Sequence, residues 1–143
     1  MNREEKAMKI FEDKFNCSQA VLGTFAEELG MIEEQAMKVA LCFSAGVRKG
    51  EVCGAVSGAI MALGLKYGQI GDDEAEKKAI AYAKANEFME RFKSENGSYI
   101  CKDILGCDIS TDEGRAYAQE NNSFNEICPQ MVKSAVNILE SII

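Results

Sequence analysis

The chain contains no histidine, and only one of its 143 residues is proline. Without imidazole there is no Ser-His-Asp or Cys-His catalytic pair, no imidazole general base and no histidine metal ligand. Basic residues are outnumbered, 16 against 23 acidic, for a net charge of -7. That balance excludes nucleic acid as the expected partner, since such affinity rests on Lys and Arg at phosphates. It also excludes a polybasic membrane anchor. The longest apolar run, Ala55 to Leu65, is interrupted by Ser57, Gly58 and Gly64. It falls short of the roughly 20 residues needed to span a bilayer. The opening residues, Met1 to Lys6, carry charge where a secretory signal would be apolar, so a cytoplasmic protein without membrane insertion is expected.

Six cysteines remain as the unusual feature. In a reducing compartment they are read as redox or metal chemistry before permanent disulfides. No C-x-x-C pair occurs, so the local signature of a zinc ribbon or ferredoxin-type cluster is missing.

Apolar residues recur with helical period almost throughout, and no segment alternates as a half-buried strand would. The expected fold is all-α: one domain over residues 1–143, a compact bundle of about seven or eight helices. Helices are expected at about Arg3–Lys14, Cys17–Leu29, Glu33–Ser44, Gly54–Tyr67, Glu74–Lys93, Tyr99–Leu105, from Ser110, and from Cys128. The fourth, rich in Gly and Ala and apolar on nearly all sides, is expected to be the buried central element. The glycines at 46, 50, 54 and 58 read as close helix packing in preference to a phosphate nest. Cys42, between Leu41 and Phe43, reads as core packing, and Cys107 is left unassigned. The apolar carboxyl end, Ile138-Leu139 with Ile142-Ile143, either closes the core or pairs two chains as a homodimer.

Cys17, Cys53, Cys101 and Cys128 each fall at an expected helix start. Free N–H groups and the positive end of the helix dipole favour thiolate there. Arg48 and Lys49 stand close enough in sequence to Cys53 to lower its pKa further. The plain alternative is that each cysteine is a small buried hydrophobe.

Four segments resemble a known family: Asn16-Cys17-Ser18-Gln19-Ala20-Val21; Gly50-Glu51-Val52-Cys53-Gly54-Ala55-Val56-Ser57-Gly58-Ala59; Cys101-Lys102-Asp103-Ile104-Leu105-Gly106; and Cys128-Pro129. They are similar, in order and over almost the whole chain, to the C_GCAxxG_C_C family of putative redox-active proteins. The family name places glycine before the central cysteine, whereas here Cys53 precedes Gly54. The resemblance implies that Cys17, Cys53, Cys101 and Cys128 are the site, with Cys42 and Cys107 as extras, and that the role is redox.

Three functions compete. The first is thiol–disulfide exchange or electron transfer with a redox partner or disulfide substrate, Cys53 attacking and Cys17 or Cys128 resolving. The second is a four-cysteine site for zinc or an iron–sulfur cluster. The third is a helical binding module without chemistry.

Overall fold

The structure is a computed structural model describing residues 1–143. It is all-α, as the helical periodicity requires. Its helices are α1 (Arg3–Glu12), α2 (Cys17–Phe25), α3 (Glu33–Ala40), α4 (Gly54–Tyr67), α5 (Ala75–Asn96), α6 (Cys101–Leu105), α7 (Asp112–Glu120), α8 (Ser123–Glu126) and α9 (Cys128–Ile142). No helix is long and apolar enough to cross a membrane.

The main core forms where α2, α4 and α9 meet, with α1 laid on α2 and α9, and α5 on α4 and α9. Helix α4 is the central element. Ala55, Val56, Ala59, Ala62 and Leu63 are buried along it. Its glycines explain the close approach to α2. A Cβ on Gly58 would stand 2.7 Å from the Ser18 carbonyl oxygen, so only glycine lets the two backbones touch there. Helix α9 closes the core with Val132, Ala135, Val136, Ile138, Leu139 and Ile142, all buried. Each large aliphatic side chain among them contributes about 1.5–3 kcal/mol by leaving water. The apolar carboxyl end is therefore spent inside this chain. A smaller cluster, Cys101, Leu105, Ile109 and Ala118, sits beside the main core. Phe124, Ile127 and Cys128 pack against it.

Several local features differ from the sequence-based expectation. The second and third helices are shorter, each passing into a tighter 3-10 turn at Glu27–Leu29 and Leu41–Phe43. The second of these turns changes the helical phase at Cys42. That thiol is consequently exposed, not packed in the core. The fifth helix begins at Ala75, one residue later than expected. Glu74 holds the cap position, and its carboxylate accepts the Ile70 N–H at 2.9 Å. Thr111, not Ser110, caps α7, its hydroxyl accepting the Gly114 N–H at 2.9 Å.

The glycine-punctuated segment before α4 is the least ordinary piece of backbone. Ala45, Gly46, Val47, Arg48 and Gly50 all have positive φ, between 56° and 69°. The segment is close to a turn of left-handed helix. Gly46 and Gly50 accept this freely, but for Ala45, Val47 and Arg48 it costs about 1–2 kcal/mol each. Next to it lies the one β-type contact of the fold, an antiparallel bridge between Val52 and Ile100.

Candidate functional site: a pocket of four thiols

Cys17 and Cys128 are the first residues of α2 and α9, Cys101 is the first of α6, and Cys53 immediately precedes α4. Local reasons fix each start. The Gln19 side chain accepts the Asn16 N–H at 2.9 Å, closing the first turn of α2 on Cys17. Pro129 fits the beginning of α9 because its missing N–H would be unpaired there anyway. Cys53 and Cys101 are held by the bridge. The Cys53 N–H donates to the Tyr99 carbonyl at 2.8 Å, and the Cys101 N–H donates to the Glu51 carbonyl at 2.6 Å. Side chains alternate along extended backbone, so Cys53 and Cys101 share the face opposite to Val52 and Ile100. This bridge carries no sequence signal beyond two apolar residues, and the sequence reading missed it.

The four sulfurs, drawn from four separate stretches of chain, line one cavity of about 240 Å³. Phe11, Phe15, Ile104, Leu105, Ile109 and Phe124 make most of its wall apolar. Cys53 belongs to the main core and Cys101 to the smaller cluster, so the cavity lies on the seam between them. Cys53 and Cys101 are each 7% exposed, whereas Cys17 and Cys128 are half-buried. All six cysteines are free thiols. Cys107 packs against the same small cluster as Cys101 but does not line the cavity.

Cys17 has a distinctive seat. A Cβ on Gly54 would come within 2.5 Å of its sulfur, so the sulfur rests directly on the first residue of α4. Backbone N–H groups of Ala45, Ser18, Cys17 itself and Ala55 favour its thiolate. Cys53 has the same kind of support from Ala55 and Val56. The donors expected at these helix starts are present, but the net shift is opposite to the expected one. Burial is the larger influence, and it pushes the thiols of Cys17 and Cys53 up, not down. Burial likewise pushes Cys101 and Cys128 up to about 12. A charge on Cys17 opposes ionisation of Cys53, Cys101 and Cys128, which places all three within its electrostatic reach.

The basic pair plays a different part from the one expected. Neither Arg48 nor Lys49 is among the groups that set the Cys53 pKa. Lys49 acts on Asp108, whose carboxyl it helps to hold low together with hydrogen bonds from Ser110 and the charge of Lys102. Arg48 lies on the rim of the cavity. No three Cys, Asp or Glu side chains are grouped so as to hold a metal ion.

No curated protein and no solved structure matched this sequence. One protein-family description, "Putative redox-active protein (C_GCAxxG_C_C)", matches residues 15–142. That span contains all six cysteines and nearly the whole bundle, and the chain belongs to the C_GCAxxG_C_C family, whose description supports a redox role in general terms.

Proposed function

We propose that the protein is a dithiol–disulfide redox protein whose working groups are Cys17, Cys53, Cys101 and Cys128. The observation that carries this reading is the convergence of these four free thiols on a single apolar cavity. Cys17 is the attacking thiol in this account, in place of Cys53. Its residue is less buried than Cys53, and backbone N–H groups from three separate segments surround its sulfur. Attack needs thiolate, and it needs access.

Cys17 thiolate attacks one sulfur of a substrate disulfide. A Cys17–substrate S–S bond forms, the substrate S–S bond breaks, and the departing thiolate takes up a proton. Cys53, whose backbone adjoins the Gly54 beneath the Cys17 sulfur, then loses its proton and attacks Cys17. The second substrate thiol leaves and the protein keeps an intramolecular disulfide. Two electrons pass from two protein thiols to the substrate disulfide. The reverse direction oxidises a substrate dithiol. Cys101 and Cys128, which line the same cavity, are the second thiol pair in this reading.

Trapping tests the order of the two thiols. With Cys53→Ser, a small disulfide should remain covalently attached at Cys17, read as a mass increment on the intact protein. With Cys17→Ser the adduct should be absent from the pocket and turnover lost. Turnover at the wild-type rate in Cys17→Ser would overturn the proposal.

A further inference from the structure

The rim of the thiol cavity carries a specificity element that the exchange chemistry does not use. Arg48 lines the cavity and is exposed. Its guanidinium makes no ion pair, although Arg3, Lys38, Lys77, Lys102 and Arg115 all do. It donates no side-chain hydrogen bond and stands over no aromatic ring. Its φ is +63°, inside the left-handed turn that also strains Ala45 and Val47. Strained backbone persists where the surrounding structure holds it, and such positions gather at binding sites. Here the turn does two things. It brings the Ala45 N–H to the Cys17 sulfur. It also leaves a cation at the mouth of a mostly apolar chamber, whose other polar lining residues, Asn16 and Ser44, are uncharged.

We propose that the cavity takes a small, largely apolar disulfide or thiol bearing one anionic group, carboxylate or sulfonate, and that Arg48 binds that group. The proposal rests on the thiol reading above, since the chamber is argued to hold sulfur chemistry. Its apolar walls suit the body of such a molecule. Its volume, about 240 Å³, lies below the roughly 300–1,000 Å³ of sites for drug-sized ligands, which sets the size class. Guanidinium is suited to planar anions because it donates two parallel hydrogen bonds. The overall charge of -7 repels anions. A preference for an anionic substrate therefore has to come from a local group, and Arg48 is the cation placed to supply it.

Two aromatic disulfides separate charge from reactivity: anionic 5,5′-dithiobis(2-nitrobenzoate) and neutral 2,2′-dithiodipyridine. The background is Cys42→Ser/Cys107→Ser, which removes thiols outside the cavity, and each rate is divided by that of the unfolded protein. Arg48→Gln should slow the anionic reagent about tenfold, the size of one charge-assisted contact, and leave the neutral one unchanged. Arg48→Lys should retain part of the preference, and high salt should erode it. Equal slowing of both reagents, or of neither, overturns the assignment. Equilibrium dialysis with 2-nitrobenzoate, which has no disulfide, reads the contact without the chemistry. Binding about tenfold weaker in Arg48→Gln is expected, and equal or absent binding refutes the role of Arg48. Intact binding beside unreactive cavity thiols would instead refute the redox reading and leave the anion contact standing.

Discussion

Two glycines on the central helix should respond oppositely to the same substitution. Gly54 and Gly64 both lie in α4, and neither has a positive φ, so an added Cβ strains no backbone torsion. At Gly64 nothing lies within 4 Å of the new methyl group. Gly64→Ala should therefore stabilise the fold by about 0.5–1 kcal/mol through helix propensity alone. At Gly54 the methyl would meet the Cys17 sulfur at 2.5 Å, the Ser44 Cα at 3.1 Å and the Phe43 carbonyl oxygen at 3.2 Å. Two of these neighbours are backbone and cannot rotate away. Overpacking of this kind costs about 1–3 kcal/mol, which exceeds the propensity gain, so Gly54→Ala should be net destabilising. It should also push the Cys17 sulfur away from the Ala55 N–H and slow its reaction with disulfides. Urea unfolding of both variants beside the wild type gives the signs, and a Tm shift of roughly 2–6 °C per kcal/mol gives a second reading. Stabilisation by Gly54→Ala, or unchanged Cys17 reactivity in it, would refute the packing account of the C-G-A-x-x-G segment.

Restoring the order of residues in the family name gives a second test. In Cys53→Gly/Gly54→Cys the introduced Cβ lies against the Cys17 sulfur, so once the local backbone shifts to relieve that contact, mild oxidation should join the new thiol to Cys17. A variant that stays reduced while wild type oxidises would contradict the placement of Cys17. Alkaline pH tests the burial of the thiols. Cys101 and Cys128 are held protonated to about pH 12, whereas thiols of the unfolded chain ionise near 9.0. Between these values the folded state binds more protons than the unfolded one. The stability they contribute is complete below pH 9 and declines as pH rises towards 12, by about 1.4 kcal/mol per pH unit for each thiol. Urea midpoints from pH 8 to 10.5 should fall more steeply in wild type than in Cys101→Ser/Cys128→Ser, and parallel curves would contradict the buried thiols.

Much of this architecture is legible in the sequence because it rests on local signals. The helical period, Gly30 after the second helical stretch, and Pro129 at the start of α9 place most elements within a few residues. The helix starts at which Cys17, Cys53, Cys101 and Cys128 stand are legible for the same reason. The failures are non-local. Cys42 turns outward because α3 tightens after Ala40, a change of phase that single residues do not announce. The left-handed turn at Ala45–Arg48 runs against the preference of alanine, valine and arginine, so no local propensity announces it. The Val52–Ile100 bridge joins residues 48 positions apart. The pKa direction reversed because sequence shows the donors at a helix start and not the apolar residues that will cover the sulfur.

The most direct measurement is the location of the first disulfide formed when reduced protein is titrated with a limiting small disulfide. Peptide mapping by mass spectrometry, after unreacted thiols are alkylated, identifies the pair. The account predicts a loss of two thiols per molecule and one intramolecular bond, Cys17 to Cys53, within the cavity. Oxidation confined to Cys42 or Cys107, with residues 17, 53, 101 and 128 all recovered as alkylated thiols, would contradict it.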